Sequence, residues 1–315
     1  MPSFDVPTMS QHLFCQPAHG NAAGKVILLG EHFVVYTAPA LALPLTAWRT
    51  TVTIHPCPET PTAFHVSTHD VPLARVRPLV DAALEHWHIA PPQGWRLEIV
   101  TAIPVGQGLG ASASIAVALA KATAEAAGLK PDDAEIHRCA HALEHIVHGS
   151  PSGIDDTTVM GETPIYFQRQ HPLVPAHAQP PLHFAVAASG QAGDTRAAIA
   201  AVRAFSHRAP RDFARLLAEA TQLAAEGRHA FCAGDAARLG ALMNRNHTLL
   251  QGIAVSTPDI DALVQEARNL GASGAKLTGA GLGGSVVAVA APEICERIVV
   301  HWRGLGVAKA LALCV

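Results

Sequence analysis

The sequence predicts an α+β protein of two domains, and three observations support that prediction. The chain has 315 residues, which is more than one hydrophobic core usually organises. Alternating apolar and polar residues, typical of strands, occur near both ends of the chain, with helical patterns between them. The segment 168–181 carries four prolines and little periodicity, so it is the best candidate boundary. We therefore predict one domain of residues 1–175 and a second of residues 176–315, with largely antiparallel sheets.

Strands are predicted where short apolar or alternating runs are bounded by turn residues. In the first half of the chain these runs are Val26–Leu29, Phe33–Tyr36, Leu45–His55, Ala63–Thr68 and Trp95–Thr101. In the second half they are Leu182–Ala188, Ala275–Leu277, Ser285–Ala290 and Val307–Cys314.

Helices are predicted where apolar residues return every three or four positions. One of them would be capped by Asp132 or Asp133 and would run to about Val147. The others are Leu73–His86, Ala111–Ala127, Thr195–Phe205, Pro210–Ala233, Asp235–Gln251, Pro258–Leu270 and Pro292–Arg303.

Composition excludes several classes of protein. The net charge of −3, with histidine neutral, gives no reason to expect a nucleic-acid partner. The six cysteines form no CxxC pair and read as reduced thiols. We see neither a signal peptide nor an apolar stretch near the ~20 residues of a membrane span, so a cytoplasmic protein with no membrane partner is expected. The oligomeric state stays open, with a homodimer as one option.

The stretch PVGQGLGASAS, residues 104–114, predicts a phosphate-binding turn. Gly106, Gly108 and Gly110 permit unusual backbone angles, and a helix begins directly after them. The positive end of that helix and the bare amide groups suit a di- or triphosphate. Ser112 would add a hydroxyl for phosphate or Mg²⁺. A tight structural turn is the alternative, and the lack of a following Gly-Lys-Ser/Thr excludes a Walker loop.

Two further motifs carry unusual glycines or charges. The stretch KLTGAGLGGSVVAV, residues 276–289, places four glycines in six positions between two strands, which favours close approach to a ligand or to another loop. In GKVILLGEHFVVY, residues 24–36, charged residues interrupt an apolar hairpin. Charges there are unfavourable unless they are paired or used, although a surface turn with a salt bridge is the alternative.

Carboxylates and histidines occur within and just after the helix that would run to about Val147. Glu144 lies near its end, and Asp155 comes after GSPSG, where an inward carboxylate near Lys25 would stay charged and could orient a hydroxyl. An ordinary helix cap is the alternative for Asp155. Histidines at 137, 141, 145 and 148 recur at helical spacing, and we interpret them as a solvated helix face rather than a metal site.

Taken in order, the motifs Lys25 with GEH, PxGxGLGxSxS, PSGID and LTGAGxGGS resemble those of the GHMP kinases, from about Gly24 to the C-terminal strand. The resemblance implies an N-terminal βα domain and a C-terminal ferredoxin-like domain, with the active site in the cleft between them. GEHFVVY followed by PALALPL, and the stretch ALEHIVHGSPSGIDD, are most similar to the mevalonate kinase members.

The resemblance also implies roles for individual residues. Asp155 and Lys25 would be catalytic, and Ser112 and Glu144 would hold Mg²⁺. Residues implied to bind ATP are Pro104, Gly106, Gly108, Leu109, Gly110, Ala111, Ser112, Ala113 and Gly281. Residues implied to contact the acceptor are Glu31, His32, Thr195 and Gly279. Ala111 replaces the first serine of the usual GLGSS, and Thr37 replaces a glycine, so the substrate preference could be shifted.

The implied function is ATP- and Mg²⁺-dependent phosphorylation of the C5 hydroxyl of mevalonate to 5-phosphomevalonate, in isoprenoid precursor synthesis. Three alternatives remain open. A sibling kinase would act on phosphomevalonate or homoserine, and a related decarboxylase would release CO₂. A non-catalytic binding module should have lost Lys25, Glu144 or Asp155, and all three are present.

Overall fold

The computed structural model describes residues 16–57, 64–69, 71–90, 94–149 and 151–315. Two predictions concern residues outside these ranges. They are the expected lack of a signal peptide in residues 1–15 and the start of a predicted strand at Ala63. None of the helices within them combines the length and apolar character needed to cross a lipid bilayer.

Among the described residues, the first half of the chain forms a six-stranded sheet in the order β3-β4-β2-β5-β6, with β1 also paired to β2. All neighbours are antiparallel except β3 and β4. The strands are β1 (Ala18–Leu29), β2 (Ala40–Pro56), β3 (Phe64–Thr68), β4 (Trp95–Thr101), β5 (Ile165–Phe167) and β6 (Val174–Pro175).

The second half forms a four-stranded antiparallel sheet in the order β10-β7-β9-β8. Its strands are β7 (His183–Ala188), β8 (Gly274–Thr278), β9 (Ser285–Ala290) and β10 (Lys309–Cys314). The proposed domain boundary after residue 175 falls between β6 and β7 and stays a prediction.

Several of the α-helices begin where the sequence supplies a capping side chain or a proline. Asp132 and Glu135 form a reciprocal capping box at the N-terminus of the helix that begins at Asp133. Pro210, Pro258 and Pro292 each occupy the first turn of a helix. The helices are α1 (Leu73–His86), α2 (Ala111–Ala126), α3 (Asp133–His148), α4 (Ile154–Gly161), α5 (Thr195–Arg208), α6 (Pro210–Cys232), α7 (Ala236–Gly252), α8 (Pro258–Asn269) and α9 (Pro292–Gly304).

The local structure differs from the predictions at several points, including strands β5 and β6, where no strand was predicted. Phe33–Tyr36, predicted as a strand, is a 3₁₀ helix. The chain turns at Gly30 and His32, which have φ angles of 96° and 60°, and a four-residue apolar run has no period that separates strand from helix. Helix α4 was not predicted at all, because its start follows a proline- and glycine-containing segment that resembles a loop.

Among the described residues, two large hydrophobic cores and a smaller cluster that includes Ile27 and Ile154 hold these elements together. The larger contains side chains of both sheets, such as Leu28 and Leu41 from the first and Phe184 and Val287 from the second. The other lies between the first sheet and helices α1, α2 and α3. Because the larger core joins the two halves, the motifs of each half are held in a fixed relation to those of the other.

Candidate active site

A cavity of about 970 Å³ brings the predicted motifs together. The first half of the chain contributes Lys25, the glycine turn before α2, and Asp155 to its lining. The second half contributes Thr195 at the start of α5 and Gly279 after β8. Residues from four separate sequence motifs therefore face one space.

The glycine turn before α2 has the geometry that the sequence predicts for a phosphate site. Gly106, Gly108 and Gly110 have φ angles of 75°, 76° and 79°, which side chains other than glycine rarely adopt. A Cβ atom on Gly110 would lie 2.7 Å from Cγ of Lys25. Ser112 is the second residue of α2 and lines the cavity, so backbone amides, a hydroxyl and the helix N-terminus meet there.

Lys25 and Asp155 form an ion pair at the cavity wall. The Nζ atom of Lys25 lies 2.9 Å from Oδ1 of Asp155 and donates a hydrogen bond of 3.1 Å to the carbonyl of Gly108. Lys25 is 3% exposed and Asp155 is 32% exposed, so the carboxylate can meet a ligand. The pair thus connects β1, α4 and the glycine turn.

The residues predicted to hold Mg²⁺ also lie together. Glu144 is buried, and its Oε1 atom has no hydrogen-bond partner among the described residues. Burial raises the pKa of Glu144 to about 8, and the negative charges of Asp155 and Asp156 add to that effect. Oxygen ligands are those that Mg²⁺ prefers, and a cation would relieve both the unpaired oxygen and the repulsion. The carboxylate and the Ser112 hydroxyl therefore fit a magnesium ion.

A histidine not predicted for the site completes this corner. His148 Nε2 lies 3.0 Å from Oγ of Ser112 and 3.7 Å from Oε2 of Glu144. Burial lowers the pKa of His148, which favours the neutral ring. The described residues contain no group of three or more His, Cys, Asp or Glu side chains arranged to hold a metal ion. A magnesium ion at this corner would take phosphate oxygens and waters as its other ligands.

At the acceptor end, His32 and Gly279 line the cavity together with Thr195. His32 Nε2 lies 2.8 Å from the carbonyl oxygen of Ala280, which it must meet as a donor. Burial lowers the pKa of His32 to about 4, so the ring is neutral near pH 7. The side chains of His32 and Thr195 offer hydrogen bonds to an acceptor, and the charged neighbours Glu31 and Arg196 line the same cavity.

Glu31 makes contacts that the sequence did not predict. Its carboxylate pairs with Lys276 and also accepts a hydrogen bond of 3.2 Å from Nδ2 of Asn246. Glu31 and Lys276 are 1% and 0% exposed. The alternative of a surface salt bridge is therefore wrong, and a buried pair joins the turn after β1 to strand β8. In the sequence, Glu31 and Lys276 each stand beside apolar residues in separate motifs. That pattern indicates that each charge needs a partner, but it does not say which charges meet.

Four residues predicted to bind the nucleotide do not line the cavity, namely Pro104, Leu109, Ala113 and Gly281. Leu109 and Ala113 are buried in the hydrophobic cores. A Cβ atom on Gly281 would collide with the carbonyl of Val255, so close packing of the backbone explains that glycine. Contacts between ATP and these four residues stay predictions.

The histidines of α3 are not simply a solvated face. His137 and His141 contact the buried carboxylate of Asp156, and His148 contacts Ser112. The interpretation is incomplete for these three, which are only partly exposed, because α4 packs beside His137 and His141, and α2 places Ser112 beside His148. His145 bonds only the carbonyl of Gly149 at 2.9 Å in the described part of the chain.

Comparison with known proteins agrees with the geometry of the cavity. The family model for the GHMP kinases N terminal domain matches residues 75–162, and the model for the GHMP kinases C terminal matches residues 228–299. A mevalonate kinase of Methanothermobacter thermautotrophicus is 32% identical over 272 residues, covering 85% of this chain and 88% of that protein. One from Pyrococcus furiosus is 32% identical over 301 residues, with 86% and 88% covered.

A solved structure gives the same result. The crystal structure of L. major mevalonate kinase in complex with R-mevalonate superposes with a TM-score of 0.83 at 29% identity, covering 96% of this chain and 98% of that chain. The two-domain α+β architecture predicted from the sequence is confirmed. The chain belongs to the GHMP kinases, within which its relatives are mevalonate kinases.

Proposed function

We propose that this kinase transfers the γ-phosphoryl group of ATP to the C5 hydroxyl of mevalonate, giving 5-phosphomevalonate. The observation that carries the proposal is the ion pair of Lys25 and Asp155 beside the glycine turn, at a distance of 2.9 Å. Phosphoryl transfer needs mainly positioning and neutralisation of charge, and this corner supplies both.

ATP would lie with its phosphates over Gly106–Ser112, where backbone amides and the N-terminus of α2 face the cavity. Ser112 and Glu144 would hold Mg²⁺, which neutralises phosphate charge when bound. Support for the ion comes from the unpartnered Oε1 atom of Glu144.

Asp155 would orient the acceptor hydroxyl and take its proton as the new P–O bond forms. Lys25, paired with that carboxylate, would offset the charge that develops on the γ-phosphoryl oxygens. His32 and Thr195 line the same cavity and would bind the remainder of mevalonate by hydrogen bonds. The relatives named as mevalonate kinases support this acceptor.

The acceptor is tested by coupled ADP release with mevalonate, phosphomevalonate, homoserine and galactose. We expect mevalonate to support turnover far better than the other three. A preference for phosphomevalonate or homoserine would replace the proposal with a sibling kinase. Release of CO₂ together with ADP would indicate the decarboxylase.

A cytoplasmic location and the option of a homodimer remain predictions from the sequence. Light scattering of the purified protein at a known concentration would measure its mass in solution. A mass near 66 kDa would be about twice the 32.9 kDa of one chain and would support the dimer.

A further inference from the structure

The two adjacent carboxylates of α4 point at different neighbours. Asp155 faces the cavity and Lys25. Asp156 is 1% exposed and faces α3, where its Oδ2 atom lies 2.6 Å from Nδ1 of His141 and 3.3 Å from Nε2 of His137. His137 also lies 3.3 Å from the hydroxyl of Thr157. Residues 155 and 156 therefore attach the same helical turn to two different parts of the molecule.

Burial of the Asp156 carboxylate is unfavourable unless hydrogen bonds or an opposite charge compensate it. Its Oδ1 atom is buried and has no hydrogen-bond partner among the described residues. Burial raises the pKa of Asp156, but hydrogen bonds from His137 and His141 outweigh burial and hold the pKa below its usual value. Asp156 is therefore ionised near neutral pH, and within the described part of the chain its carboxylate contacts the two histidines.

Helix α4 depends on such contacts for its orientation. It has only eight residues, and Gly153 at its N-terminus provides no side-chain cap. A helix this short is marginal by itself, so packing must fix how it is rotated about its axis. Ile154 and Val159 contribute apolar contacts, and Asp156 and Thr157 contribute polar contacts to α3, of which that of Asp156 is buried and the shorter.

Rotation of α4 would move Asp155 directly. Successive residues of a helix differ by about 100°, so fixing Asp156 on α3 fixes the direction in which Asp155 points. A side-chain end lies roughly 6 Å from a helix axis, so a rotation of about 10° shifts it by about 1 Å. Misplacement of a reacting group by about 1 Å can lower a rate by about 100-fold.

We propose that Asp156, held by His141 and His137, is a positioning residue that sets the direction of the Asp155 carboxylate toward the acceptor hydroxyl. This inference rests on the proposed role of Asp155. It assigns the two histidines a purpose that neither a solvated face nor a metal site provides.

The first test compares three variants by steady-state kinetics. Asp156→Ala should lower kcat by about 10- to 100-fold and leave KM for ATP within about twofold, because the contacts of Asp156 are with the histidines of α3 and not with the nucleotide turn. Asp156→Asn keeps an oxygen that accepts a hydrogen bond, so it should recover kcat to within about fivefold of the wild type. Glu266→Ala is the matched control, since it breaks a pair with His301 of 2.9 Å, and neither residue lines the cavity. Its kcat should not change.

The second test asks whether Asp156 acts through Asp155. In an Asp155→Asn background, adding Asp156→Ala should lower kcat by less than about twofold, because there is no longer a carboxylate to position. An equal loss in both backgrounds would overturn the proposal, as would normal kcat in Asp156→Ala.

Both tests use whichever acceptor supports ADP release by the wild-type enzyme. Failure of mevalonate in that assay counts against the proposed function alone, while the kinetic cycle still decides the role of Asp156. Thermal unfolding of each variant is measured alongside. A loss of kcat that Asp156→Asn fails to recover, in a protein that is folded at the assay temperature, would also contradict the positioning role.

Discussion

Two lysine–carboxylate pairs in this kinase have the same chemistry and opposite surroundings. The pair of Lys25 and Asp155 lies at the cavity wall with its carboxylate 32% exposed. The pair of Lys276 and Glu31 has exposures of 0% and 1%. An exposed carboxylate can exchange its partner for a substrate, whereas a buried one cannot without leaving a charge unpaired. Access, rather than residue type, therefore separates the pair suited to catalysis from the pair suited to holding the site together.

The buried pair is well placed to support the other. Lys276 lies on β8, and the hydroxyl of Thr278 on the same strand is 3.0 Å from the amide nitrogen and 2.9 Å from the carbonyl oxygen of Ile27 on β1. Ile27 is two residues after Lys25. The glycine loop that follows β8 also packs on the nucleotide turn, because a Cβ atom on Gly279 would lie 2.7 Å from Cα of Gly108.

The largest effect on stability is expected for Lys276→Met. Removing one partner of a buried pair leaves the Glu31 carboxylate uncompensated, which should lower the free energy of unfolding by about 3–5 kcal/mol. Urea denaturation measures the change, with Lys130→Met at an exposed lysine as the control. A loss below about 1 kcal/mol would mean that the pair contributes little to holding the fold.

The double variant Glu31→Met/Lys276→Met separates the contribution of the pair to stability from any contribution of Glu31 to binding of the acceptor. Replacing both charges by apolar side chains should recover most of the stability that the single variant loses. Kinetics then show whether Glu31 also contacts the acceptor, as predicted from the sequence. We expect KM for mevalonate to stay within about threefold, since less than ~1 kcal/mol of binding energy should be lost. A rise above about tenfold would show that Glu31, which lines the cavity, also contacts the acceptor.

For the cavity pair, the expected loss is in turnover. Lys25→Met removes the cation beside Asp155 and should lower kcat by about 10²–10³-fold, the range seen when one preorganised charge-stabilising group is removed. Thermal unfolding is the control for folding, because Lys25 is itself 3% exposed. Turnover close to normal would show that neutralisation at this corner does not depend on the lysine.

Glu144 is buried like the pair of Lys276 and Glu31, yet it lies at the site like Asp155. Its Oε1 atom has no hydrogen-bond partner among the described residues. Glu144→Gln should raise the Mg²⁺ concentration for half-maximal activity by about tenfold, since a neutral amide is a weaker ligand for a hard cation. Glu296→Gln, at an exposed glutamate of α9, is the control. An unchanged requirement would remove Glu144 from the metal site.

The sequence predicted the parts of the fold that depend on local chemistry. Helices that start at a proline or an aspartate cap, such as α6 at Pro210 and α3 after Asp132, were found within a few residues. The short helix α4 was missed because its N-cap, Gly153, has a φ of 88° and follows a segment with the composition of a loop. Missing α4 also hid the contacts of His137 and His141.

For the candidate site, motif order was informative and side-chain pairing was not. Lys25 and Asp155 were predicted to meet, and the structure brings them together. The partner of Glu31 lies 245 residues further along the chain, and no local pattern specifies such a contact. Gly281 was predicted to bind nucleotide, yet the carbonyl of Val255 occupies the space beside it. Glycine content alone does not distinguish room for a ligand from room for another loop.

The most direct test of the account is the rate of γ-phosphoryl transfer to mevalonate in the Asp155→Asn protein, measured in a single turnover with saturating MgATP. The account predicts that the nucleotide still binds and that the transfer rate falls by about 10²–10⁴-fold, because the acceptor hydroxyl loses its base. A transfer rate near that of the wild type would contradict it, and the cavity pair would then have no part in the chemistry.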